Sequence, residues 1–152
     1  VEDIFAKPLL HRLIHLISPR TREKDLLEAM MAACALIACS RGNIDEIEKE
    51  YLRKNLGSVE LFGHVESDFA LSLFEQFAEQ IADGRTEAIL RKLKAISDEP
   101  RLTRLVMSIA HGMTSLHSHV LPEEESALQE IASTMKTTTN IEELVAQARK
   151  NN

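Results

Sequence analysis

Residues 29–39 constrain this chain most: Ala-Met-Met-Ala-Ala-Cys-Ala-Leu-Ile-Ala-Cys carries no charge, and its polar character is limited to two thiols. Ala, Met and Leu favour helix, and the run does not alternate with period two, so it predicts a helix that is apolar nearly all round. Such a helix must be enclosed by others. It falls well short of the roughly 20 residues needed to span a bilayer, so no membrane insertion is expected. Gly42 follows and is expected to stop the helix in a left-handed conformation. The next segment, Ile44-Asp-Glu-Ile-Glu48, leads into a second helix, making residues 26–56 a helix–loop–helix unit.

The rest of the chain reads as helices that enclose this unit. Helical spacing of Phe5, Leu9, Leu13, Leu16 and Ile17 predicts a helix over 4–17, followed by a charged connection over 19–24. Further helices are expected over 44–56 (Ile44, Ile47, Tyr51 and Leu52 inward), 66–82 (Phe69, Leu73, Phe74, Phe77 and Ile81 inward) and 86–96. Two more follow, one over 98–116 with Pro100 in the first turn and, after a loop over 117–122, one that runs to about Met135. Thr139 and Glu142 suggest a capping box for a C-terminal helix over about 140–150. The 152 residues are about one domain long, and 44% are apolar with only 4% aromatic and no Trp, so the core is aliphatic. The expected fold is an all-α single-domain bundle of seven or eight helices.

Sliding the chain by 76 positions pairs Leu26 with Leu102, Met31 with Met107, Gly42 with Ser118, Ile44 with Val120, Glu48 with Glu124 and Leu52 with Leu128. The phase survives an intervening loop, which predicts an internal pseudo-twofold repeat of helical hairpins with halves at about 22–56 and 98–135. The apolar helix followed by Gly42-x-Ile44-x-x-x-Glu48, with its second copy, resembles the tellurite-resistance TerB-like family, which also includes the N-terminal domain of a DnaJ-like membrane co-chaperone. The resemblance spans roughly 26–135. It implies an all-helical, stress- or envelope-related module, and divalent metal binding by the acids of Asp-Gly-x-apolar-x-x-x-Glu. Of those acids Glu48 and Glu124 carry over, while Arg41 and His117 stand where each repeat's Asp would be. The preferred expectation from that substitution is ion pairing across the halves, Arg41 with Glu124 or Glu48 with His117.

The competing chemistry is a transition-metal site from His117, His119 and Glu124, with Glu48 as a further candidate ligand, because imidazole and carboxylate suit such ions. Its bland counterpart is exposed loop histidines beside three glutamates, Glu123 to Glu125, that complement a helix dipole; His111 lies two turns upstream. His11 and His15 share a helical face without the metalloprotease glutamate, and His64 has no evident partner. Glu46, Glu48 and Glu50 read most simply as a solvated face.

Cys34 and Cys39 are about 7.5 Å apart along one helix and turned away from each other, so they are expected as reduced core residues of a cytoplasmic-type protein. Val1-Glu-Asp-Ile-Phe has no basic region or cleavage site, so no secretory signal is expected, and the missing initiator Met suggests a trimmed chain or a piece of a longer one. Net charge of −6 disfavours nucleic acid. With no G-x-S-x-G, P-loop or dinucleotide fingerprint, the expectation is a non-enzymatic interaction or sensor module acting through a protein partner, with homo-oligomerisation open. The alternative is a metal-binding protein or metal-dependent hydrolase.

Overall fold

The computed structural model describes residues 19–42, 44–58 and 67–150; the helix expected over 4–17, the histidines His11, His15 and His64, and the apolar Val59, Leu61 and Phe62 lie outside the described residues. Among the described residues there are seven helices and no strand: α1 (Pro19–Ser40), α2 (Glu46–Ser58), α3 (Ser67–Ala82), α4 (Thr86–Lys94), α5 (Pro100–Thr114), α6 (Pro122–Thr134) and α7 (Ile141–Lys150). None of these is long and apolar enough to cross a membrane.

α1 is the axis of the bundle, with α3, α4, α5 and α6 all packed against it. From 26 to 38 every residue except Glu28 is buried. Alanines at 29, 32, 33, 35 and 38 keep this helix slim, so four neighbours can approach it at once. Glu28 is tolerated because Lys92 of α4 reaches it at 3.6 Å, and the same ammonium lies over the Phe77 ring. α1 also starts earlier than expected. Its first turns contain the charged segment read as a connection, since Pro19 occupies a position where a proline lacks no needed hydrogen bond.

Two apolar stripes are rotated from their expected phase. On α3, Ala70, Leu71, Phe74, Phe77 and Ala78 are buried, which leaves Phe69 one residue off the stripe and 56% exposed. On α2 the buried line is Glu48, Leu52 and Leu56, and Ile47 is turned out, 53% exposed. Glu46 and Glu50 do lie on the solvated face, but Glu48 does not.

The helix ends follow local chemistry. Gly42 adopts φ +109° after α1. Glu99 caps α5 by accepting the Arg101 N–H at 3.2 Å, ahead of Pro100 in the first turn. α7 is capped by Asn140, whose Oδ1 accepts the Glu143 N–H at 3.1 Å, in place of the expected Thr139 and Glu142 box. His111 is also accounted for, its Nε2 lying 2.8 Å from the Thr139 carbonyl oxygen.

α2 is tied to α5 by Tyr51, whose hydroxyl donates to the Ile109 carbonyl at 2.9 Å. Gly112 makes room for that ring: a Cβ there would overlap Tyr51 Oη and Cζ. Gly112→Ala is therefore expected to destabilise the protein by about 1–3 kcal/mol despite alanine's better helix propensity, because overpacking outweighs propensity. Urea unfolding checks this, and an unchanged or raised midpoint would refute it.

Candidate functional site

Two short connections, one between α1 and α2 and one between α5 and α6, hold with the first turns of α2 and α6 the titratable residues singled out by the sequence. The first is built on a reciprocal capping box. Asp45 Oδ1 accepts the Glu48 N–H, and Glu48 Oε1 accepts the Asp45 N–H, each at 3.1 Å. The box explains how a carboxylate comes to be fully buried, since it turns the Glu48 side chain back toward the helix start. One oxygen is thereby used and the other, Oε2, is left buried with no hydrogen-bond partner.

His117, from the second connection, faces that oxygen. Its Nε2 lies 4.0 Å from Glu48 Oε2 and 3.6 Å from Asp45 Oδ2. Both separations exceed hydrogen-bonding distance, and Nε2 is likewise buried without a partner. Among the described residues, the ligand atoms of Asp45, Glu48 and His117 form the group that lies within 4.8 Å of one another. For comparison, a tetrahedral ion with bonds of about 2.1 Å sets its ligands about 3.4 Å apart. The two separations from His117 Nε2, 3.6 and 4.0 Å, are close to that spacing, so the three atoms could converge on a cation by drawing inward.

Burial raises the Glu48 carboxyl pKa above its ordinary value. The hydrogen bond from the Asp45 N–H opposes this; the Asp45 charge adds to it, and His117 and Arg41 oppose it more weakly. The field of Glu48 also reaches the two thiols. Burial first, then Glu48, pushes Cys34 and Cys39 up, so both stay protonated and are poor metal ligands. Both are free, and the Cys39 thiol donates to the Ala78 carbonyl at 3.6 Å.

The second connection repeats part of this construction. Glu124 Oε1 accepts the Leu121 N–H at 2.9 Å, again from the third position of a helix back to its cap. Leucine has no side-chain acceptor to return the bond, so only half of the box exists. The same Oε1 is met by Arg41 Nη1 at 3.1 Å, Glu124 being fully buried and Arg41 22% exposed. Glu124 Oε2 has no hydrogen-bond partner. Glu123 and Glu125 remain exposed.

The residues expected to act together therefore divide into two pairs. Arg41 and Glu124 form a salt bridge, and His117 lies beside Glu48. Of the expected metal set, Glu48 and His117 share one group; Glu124 belongs to the salt bridge, and His119 is exposed, outside the group. Asp45 is the residue the sequence reading missed. Its signal was present in Asp45-x-x-Glu48, a capping-box spacing, but beginning the helix at Ile44 hid Asp45 inside the first turn. No protein-family model, curated protein or solved structure matches this chain.

Proposed function

We propose that the chain is a non-enzymatic, metal-responsive interaction module of TerB-like type, in which Asp45, Glu48 and His117 hold one divalent transition-metal ion. The observation that carries this is the pair of buried, unpartnered atoms, Glu48 Oε2 and His117 Nε2, facing each other 4.0 Å apart. A buried polar atom without a partner costs stability, and an ion between the two would satisfy both. Two carboxylates neutralise a divalent charge, and imidazole favours zinc, manganese or nickel over calcium. Glu48 has no exposed atom with which to reach a substrate, which favours holding an ion over hydrolysis.

The internal repeat belongs to this reading. Arg41 and His117 are 76 positions apart, as are Glu48 and Glu124, and each basic residue lies beside the acid of the opposite connection. Crossed contacts of this kind are what a pseudo-twofold pairing of hairpins produces. In one contact Arg41 is a permanent cation, and in the other the metal takes that place. Occupancy would lock α2 to the connection between α5 and α6, and a protein partner would read that change.

Calorimetric titration of untagged, chelator-treated protein with zinc, manganese and nickel tests the reading. One ion per chain is expected with at least one of the metals. At 100 times Kd the ion should stabilise the protein by about 2.7 kcal/mol, raising Tm by about 5–10 °C. His117→Ala and Asp45→Ala should abolish binding and His119→Ala should leave it intact. No heat and no Tm rise with all three metals would remove the proposal.

A further inference from the structure

At the opposite end of α5 lies a cleft of about 510 Å³, lined by Thr103 and Arg104 of α5, Lys136, Thr137 and Thr138 from the connection between α6 and α7, and Glu143 of α7. Its volume suits a small organic molecule. The cleft lies about 20 Å along α5 from His117, so it is independent of the metal reading.

Among the described residues its two cations, Arg104 and Lys136, form no salt bridge, although the chain has 24 acidic and 18 basic residues and Glu143 lines the same cleft. Burial, and next the neighbouring Arg101, push the Arg104 pKa down, with Glu99 opposing. An anion in the cleft would offset the repulsion between Arg104 and Arg101. Hydroxyl donors are available beside the cations: Thr138 Oγ1 accepts the Asn140 N–H at 3.0 Å, leaving its own O–H to donate.

The backbone provides a second, independent observation. α6 ends in a Schellman motif, with the Thr137 N–H donating to the Ala132 carbonyl and the Lys136 N–H to that of Ser133. The left-handed residue of such a motif is usually glycine. Here it is Lys136, at φ +57° and the only non-glycine with positive φ among the described residues. A lysine at this position strains the backbone, and the residue that bears the strain lines the cleft.

We propose that this cleft binds the phosphate group of a small phosphomonoester, with Arg104 and Lys136 neutralising its charge and Thr137 and Thr138 donating hydrogen bonds to its oxygens. Arg offers a planar fork and Lys a point charge, a pairing suited to an anion with three oxygens. Pro100 and Met135, also in the lining, supply an apolar surface for the organic part.

Titration of the full chain with phenyl phosphate at constant ionic strength tests this. Saturable binding of one molecule per chain is expected, tighter than for inorganic phosphate and about tenfold weaker in Arg104→Gln. Lys136→Gly gives a crossed readout: relief of the left-handed strain should raise Tm while phenyl phosphate affinity falls about fivefold. His117→Ala should bind phenyl phosphate like the unmodified chain, so failure of the metal reading would leave this one standing. No saturable binding in the millimolar range, or unchanged affinity in both Arg104→Gln and Lys136→Gly, would overturn the proposal.

Discussion

Arg41→Met is expected to destabilise the protein by about 3–5 kcal/mol, because it leaves a carboxylate buried without its counter-charge. Glu124 is fully buried; without Arg41 its Oε1 keeps only the Leu121 N–H, and its Oε2 has no partner even now. The loss should fall mainly on the contact between α1 and α6, which the salt bridge spans. Adding Glu124→Gln to Arg41→Met should recover more than half of it, since an amide oxygen can still accept the Leu121 N–H while the buried charge is gone. Urea unfolding of the two single variants and the double variant measures the coupling. A loss below about 1 kcal/mol for Arg41→Met would class the pair with exposed ion pairs.

Glu48→Gln is expected to have the opposite sign. In the metal-free protein at neutral pH it should stabilise by on the order of 1 kcal/mol, because a buried charge disappears while the oxygen that accepts the Asp45 N–H can remain. The same substitution should abolish metal binding if the proposed site is used, a gain of stability at the expense of that site. The pH dependence follows from the raised carboxyl. Over the window from its ordinary value of 4.5 up to its higher folded value, the folded state holds the proton that the unfolded state has released. The contribution of this group to stability therefore falls as pH rises through that window and stays low above it. Glu48→Gln should remove this slope, and saturating metal should reverse it in the unmodified chain. Thermal melts across the acid range, with and without metal, would refute the assignment if the metal-free slopes of the two proteins coincide.

These two substitutions separate residues that look alike along the chain. Glu46, Glu48 and Glu50 alternate with Ile47 and Lys49, and composition alone makes all three solvated. Glu48 differs because the capping box folds it back, and because a helix face needs only a one-residue rotation to exchange it with Ile47. The same rotation exposes Phe69. A stripe of apolar residues determines that a helix has an inner face, yet its exact bearing depends on which neighbours are present to cover it. Apart from the start of α1, the helix limits lie within a few residues of those expected, because Gly42, Pro100, Pro122 and Gly84 act locally. Asn140 displaced the expected cap of α7 for an equally local reason, as it stands next to the first helical residue.

Residues 29–39 by themselves determined that this chain would be helical, with its most apolar helix enclosed by others, because nothing else can bury a helix without a polar face. Periodicity and caps, which act over a few residues, determined the order of the remaining helices. Only the tertiary structure decided that Arg41 meets Glu124 at 3.1 Å, that His117 stands over Glu48, and that Asp45 joins them. Those partners lie more than 65 positions apart along the chain. Their meeting depends on how α1 is surrounded, a cooperative outcome of packing that no local pattern encodes.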